Sequence, residues 1–154
     1  MTNKNKRFID LAFEEAKTSP HPTVKVGAVI VSPDGKTILG SSNNTFAPKI
    51  KNKLQRLKAG EKSLWIMCAE KRAIAEARKN LKKNKLDTLK GCHLYSTLSP
   101  CTTCADDIIC SEIKSVNIPY DDIDFYVKLK EKWRKSILIG EIKLKEAGVI
   151  LRKI

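Results

Sequence analysis

The stretch His93-Leu94-Tyr95-Ser96-Thr97-Leu98-Ser99-Pro100-Cys101-Thr102-Thr103-Cys104 decides how the rest of the chain is read. Its first half, His93 to Leu98, is a β-rich run, and the spacing predicts a helix over 102–111 directly after it. Cys101 and Cys104 fall at the start of that helix. Their i, i+3 spacing puts both sulfurs on one helix face, and the positive end of the helix favours thiolates there. In α/β sheets, functional groups gather at such junctions, where a strand's carboxyl end hands over to a helix.

Working outward, Phe8, Leu11, Ala12, Glu15 and Ala16 keep helical spacing until Ser19-Pro20-His21-Pro22 ends it. Val26 to Val31 and Thr37 to Gly40 are β-rich runs joined by the turn Ser32-Pro33-Asp34-Gly35, which predicts an antiparallel hairpin. The span 43–62 is polar and basic and reads as a long surface loop. A second helix runs from Ala69 to Leu81, a strand from Lys114 to Ile118, a long helix through Leu129, Trp133, Ile137 and Leu144, and a last strand from Val149 to Lys153. Gly140 weakens that long helix by about 1 kcal/mol and marks a place for a kink. Trp65 and Trp133 read as core, and Cys92 and Cys110 as ordinary buried thiols. The order α-β-β-α-β-α-β-α-β predicts a three-layer α/β/α sandwich around a five-stranded mixed sheet. Its last strands are parallel, joined by right-handed crossovers, with helices on both faces.

Composition sets the frame for chemistry. The 154 residues read as a single domain, 1–154, with no repeat or linker. A 42% hydrophobic and 31% charged chain is not a disordered one, and no apolar run approaches the roughly 18 to 20 residues of a membrane span. The charged N-terminal run has no apolar segment behind it, so a secretory leader is unsupported and a cytoplasmic location is expected. In that compartment, the five cysteines read as metal ligands or free thiols before disulfides. The net charge of +13 favours anionic partners such as nucleotides or nucleic acid. Lys supplies 24 of the 30 cations along the whole chain, however, which a general compositional bias would also produce.

Cys68 opens the second helix, so three thiols stand at two helix starts. Zinc with three protein ligands keeps its fourth position open for water, the catalytic pattern rather than the closed structural one. Glu70 supplies a base for the water's proton and an acid for the leaving group. Residues 68 and 70 would diverge by roughly 200° within a regular helix, so the two converge only if Cys68 precedes the first helical residue.

Cys68-Ala69-Glu70 with Pro100-Cys101-Thr102-Thr103-Cys104 resembles the zinc-dependent nucleobase deaminases, whose signature is H-x-E followed by P-C-x-x-C. The deoxycytidylate (dCMP) deaminases are the most similar branch. The segments 26–31, 94–101 and 104–109 and the tail 132–149 carry that likeness. One position departs: the dCMP branch has His as first ligand, whereas Cys68 stands here, as in free-nucleoside cytidine deaminases. Three thiolates on a dication leave −1 rather than 0, which makes a bound water less acidic. The two helix N-termini and Lys71 are expected to compensate. The nucleoside enzymes join their last two strands without a long helix, whereas about 30 residues of mostly helical spacing here demand a parallel crossover.

The resemblance implies hydrolytic deamination of a cytosine nucleotide, dCMP to dUMP and ammonia. Zn²⁺ would be held by Cys68, Cys101 and Cys104, and Glu70 would move the protons. It further implies that backbone groups of Ala69 and Ser99 grip the pyrimidine edge, that Asn44 holds the sugar, and that the protein is a homo-oligomer. Phe46 is a candidate to stack on the base, and Tyr120 follows a strand end near the expected pocket. Lys49, Lys51, Lys53, Arg56, Lys58 and Lys62 are candidates for a 5′-phosphate, although Ala47-Pro48-Lys49 replaces the family's Pro-Arg-Gly segment. Two other readings remain open: a deaminase of tRNA, single-stranded DNA or free nucleosides, and a non-catalytic zinc-stabilised nucleic-acid-binding module.

Overall fold

The structure, a computed structural model, describes residues 3–120 and 129–154. Helix α1 (Asn3–Lys17) leads into the hairpin of β1 (Gly27–Val31) and β2 (Ile38–Asn43). A short antiparallel pair follows, β3 (Thr45–Phe46) and β4 (Ile66–Met67), with the one-turn helix α2 (Lys62–Trp65) just before β4. Then come α3 (Ala69–Lys79), β5 (His93–Ser96), α4 (Thr102–Cys110), β6 (Ser115–Ile118), α5 (Glu131–Glu146) and β7 (Ile150–Lys153).

The five long strands form one mixed sheet in the order β2-β1-β5-β6-β7. β1 lies antiparallel to both β2 and β5, while β5, β6 and β7 run parallel. β1 is buried on both faces, which is why Gly27 to Val31 reads as a continuous apolar run rather than an alternation. Val29, Val31 and Tyr95 meet Phe8, Ile9 and Ala12 of α1 on one face. On the other, Ala28, Ile30, Leu94, Val116 and Ile118 pack with Ala69, Ala73, Ala77, Ala105 and Ile108 of α3 and α4 and with Leu144 of α5. The expected three-layer α/β/α sandwich with parallel last strands is therefore the fold.

α1 comes down onto β1 at Gly27. A Cβ there would lie 1.8 Å from the carbonyl oxygen of Ala12, so only glycine admits this approach.

The structure corrects four local expectations. The basic span 43–62 is not one open loop: Phe46 pairs with Ile66, which returns the chain to the start of α3. Strands of two residues are too short to leave a periodic signal. α5 runs unbroken through Gly140, because that glycine serves a close approach described below rather than a bend. Trp65 and Trp133 are each 37% exposed rather than core, and the Arg56 guanidinium stacks 4.0 Å from the Trp65 ring centroid. Cys110 is exposed, on the outer face of α4, while Cys92 is buried. Among the described residues, no helix is long and apolar enough to cross a membrane.

Gly27→Ala is expected to destabilise the protein by about 3 kcal/mol, since the clash is with backbone that cannot rotate away. A fall in urea midpoint at unchanged slope would show it, and a midpoint equal to wild type would contradict the close approach.

Candidate active site

The site is built where α3 and α4 begin. Cys68 is the N-cap of α3 and Cys101 the N-cap of α4, both in extended backbone, with φ −61°, ψ 147° and φ −71°, ψ 171°. Cys68 thus precedes the first helical residue, which is the condition for it and Glu70 to converge. Cys101 Sγ lies 3.4 Å from Thr103 Oγ1 in the first turn of its own helix, besides facing Cys68 Sγ. Cys104 sits one turn into α4 and is fully buried.

The three sulfurs lie within 4.8 Å of one another, with Cys68 Sγ and Cys101 Sγ 3.9 Å apart. A tetrahedral ion with Zn–S bonds of about 2.3 Å places its sulfurs about 3.8 Å apart, so the donor chemistry suits zinc and the Cys68–Cys101 spacing matches it. Hydrogen bonds from the Cys104 and Cys68 thiols pull the Cys101 pKa far down, and giving those bonds holds Cys104 and Cys68 well above the ordinary thiol value.

Glu70, in the first turn of α3, is 4% exposed. Burial pushes its carboxyl up to about 7, and the negative charge of Cys101 adds to that. Ser96, the last residue of β5, has its hydroxyl 2.8 Å from the Leu98 carbonyl and 3.2 Å from Glu70 Oε1, two acceptors that its single proton can serve. A carboxyl whose pKa lies near neutrality, touching the thiol cluster, is placed to take a proton and return it. Lys71 makes its ion pair with Asp107 of α4 at 3.8 Å. Its charge is therefore matched by an acid, and the dipoles of α3 and α4 are the positive ends directed at the thiols.

The other sequence candidates are placed unevenly. Ala69 is fully buried beside Cys68, and Ser99 is buried two residues before Cys101, its hydroxyl donating to Glu141 Oε1 at 3.0 Å. Asn44 is buried with its side chain already engaged. Its Oδ1 accepts from the Ser19 hydroxyl at 2.7 Å and the Val26 N–H at 2.9 Å, and its Nδ2 donates to the Val24 carbonyl at 2.8 Å. The second N–H of that amide has no partner among the described residues. Phe46 is 6% exposed, paired with Ile66. Tyr120 is 79% exposed at the end of β6, its N–H bonded to the Ile154 carbonyl at 2.7 Å.

Sequence reasoning missed Ser96, Ser136 and Glu141. Ser96 was findable, since it ends a strand beside the ligand turn, where such sheets collect functional groups. Ser136 and Glu141 gave no signal, because only the docking of α5 brings them to residues 99–102.

A ligand set with an open position and an adjoining proton carrier is the equipment of a hydrolase, not of a purely structural metal site. The chain belongs to the family described as the cytidine and deoxycytidylate deaminase zinc-binding region, whose model matches residues 2–119. It is a deaminase, which sets aside the non-catalytic module. Mouse (Mus musculus) deoxycytidylate deaminase is 30% identical over 154 aligned positions, covering 95% of this chain and 76% of that protein. A protein described as an uncharacterised deaminase of Aliivibrio fischeri is 28% identical over 144 positions, covering 94% and 88%. The fold is similar to that of the dCMP deaminase of cyanophage S-TIM5. The apo form gives a TM-score of 0.74 at 19% identity over 100% of both chains. The complex with dCMP and dUMP gives 0.72 at 20% identity over 100% and 99%.

The raised Glu70 pKa has a stability consequence. Its ordinary value is 4.5 and its folded value about 7, so between these the unfolded chain loses a proton that the folded chain keeps. Folding stability therefore falls as pH rises through this window. In protein kept metal-free with chelator, Glu70→Gln is expected to raise the urea midpoint at pH 7, with the gain vanishing at pH 4. A gain of equal size at both pH values would contradict the buried-carboxyl account.

Proposed function

We propose that the chain deaminates a cytosine nucleotide by hydrolysis, converting dCMP and water to dUMP and ammonia, with Zn²⁺ held by Cys68, Cys101 and Cys104. The observation that carries this reading is the buried Glu70 carboxyl placed against three converging thiols at two helix starts. The deoxycytidylate deaminase relative and the likeness to a structure bound to dCMP and dUMP support the nucleotide substrate.

Zinc held there would supply Lewis acidity and lower the pKa of a coordinated water. Glu70 accepts the proton of the attacking water, passes it to N3 of the cytosine, and then helps protonate the departing amine. The C4–N4 bond breaks, a C4–O bond forms, and ammonia leaves. Ser96 fixes the carboxylate by its bond to Oε1. Backbone groups of Ala69 and Ser99 grip the pyrimidine edge, and the remaining Asn44 N–H meets the sugar. Phe46 lines the base side of the pocket, Tyr120 stands at its rim, and the exposed lysines of 49–62 face the phosphate. The active form is a homo-oligomer.

One observation favours a polynucleotide substrate as the second reading. Arg56 stacks on the exposed Trp65 ring in a segment rich in lysine, the kind of surface that holds single strands.

The test is ammonia release from zinc-loaded protein on dCMP, CMP, deoxycytidine, cytidine and a short cytosine-containing single strand. Preference for dCMP is expected, and Glu70→Gln should lower kcat roughly 10²- to 10⁴-fold while zinc is retained. Turnover of the single strand alone would replace the substrate while keeping the chemistry. Full activity in Glu70→Gln would overturn the mechanism.

A further inference from the structure

The first turn of a helix leaves backbone N–H groups without partners, and the N-cap side chain ordinarily satisfies one of them. In α4 the N-cap is Cys101, whose sulfur faces the other two thiols, and the first N–H of the helix, that of Thr102, is one an N-cap side chain does not serve. Its acceptor comes from another element: the Thr102 N–H donates to Ser136 Oγ of α5 at 3.0 Å.

The contact does not stand alone. One turn along the same face of α5, a Cβ on Gly140 would lie 2.5 Å from the Pro100 carbonyl oxygen and 3.2 Å from the carbonyl carbon and oxygen of Cys101. All three are backbone atoms, so α5 rests directly on the peptide that carries the ligand. Next to Gly140, Glu141 accepts the Ser99 hydroxyl at 3.0 Å. A further turn on, Lys143 pairs with both carboxylate oxygens of Asp106 at 3.0 and 3.1 Å. Four consecutive handholds therefore run from residues 99 to 106 onto 136–143. The family match ends at residue 119, so none of the α5 partners lies within it.

We infer that α5 positions the metal-holding turn, with Ser136 and Gly140 as positioning residues that set where Cys101 presents its sulfur. The inference rests on the zinc reading above and concerns how this chain builds its site. Cys68 and Cys101 belong to different elements, so their 3.9 Å separation depends on where the start of α4 is held. Ser136 fixes the first N–H of α4, next to the Cys101 peptide, and Gly140 sets the depth at which α5 seats. A side chain at 140 would push the Pro100–Cys101 peptide away from α5 and out of register with Cys68.

The experiment loads the full chain with Co²⁺ to read the sulfur-to-metal and d–d absorption bands, and measures Zn²⁺ affinity by chelator competition. The variants are Ser136→Ala, Ser136→Thr, Gly140→Ala and, as control, Leu138→Ala on the exposed face of α5. Ser136→Ala is expected to weaken zinc binding about tenfold, as loss of an outer-shell contact does, and to alter the cobalt spectrum. Ser136→Thr, which keeps the hydroxyl acceptor, should restore both. Gly140→Ala should lose more affinity than Ser136→Ala, and Leu138→Ala should match wild type. If Gly140→Ala does not fold, the serine pair decides the matter alone. A Ser136→Ala protein with wild-type zinc affinity and cobalt spectrum, whatever its melting temperature, would overturn the inference while leaving the zinc reading intact. Wild-type protein that takes up neither metal would overturn both.

Discussion

Two helices begin within a few ångströms of each other at the carboxyl side of one sheet, and each spends its N-cap position on a thiol. This shared start, with Cys68 and Cys101 3.9 Å apart and Cys104 one turn further in, is the constraint to which the surrounding structure answers. Three thiolates in partial burial repel one another unless a cation or dipoles oppose the charge. The sheet meets that demand by aiming two helix N-termini at the same point. It can do so because α3 and α4 lie side by side on one face of adjoining strands, seated through alanines 69, 73, 77 and 105. Larger residues on those faces would lift the helices and spread their starts.

The same burial that makes the thiols converge makes Glu70 useful. A carboxyl 4% exposed, set beside Ser96 and the thiol cluster, holds its proton far more readily than one in water. Such a group stabilises the fold poorly. Its place suits the proposed chemistry, in which a proton is taken and returned within one turnover. Lys71 pairs with Asp107 of α4 at 3.8 Å, so the cation expected to offset the thiolates is tied to the second of the two helices that start there.

Much of this was legible in the sequence. Alternating strand and helix signals after residue 69 gave the parallel half of the sheet, and the turn 32–35 gave the hairpin. The C-x-E and P-C-x-x-C spacings placed Cys68, Glu70, Cys101 and Cys104 at helix starts. What stayed hidden has physical causes. β3 and β4 are two residues each, too short to show a period. Gly140 reads as a weak helix position because its close partners, Pro100 and Cys101, are about 40 residues away and meet it only in the folded chain. The resemblance gives Asn44 to the sugar, while the folded chain spends three of its hydrogen bonds on Ser19, Val24 and Val26. Trp65 looks like core by residue type, yet an arginine from a neighbouring turn covers its face while leaving it open to solvent.

The central claim is that three thiols hold one ion and leave a position open. X-ray absorption at the zinc edge of the loaded protein tests it most directly. The account predicts three sulfurs at about 2.3 Å and one oxygen or nitrogen at about 2.0 Å. A first shell of four sulfurs, or one with two sulfurs or fewer, would contradict it.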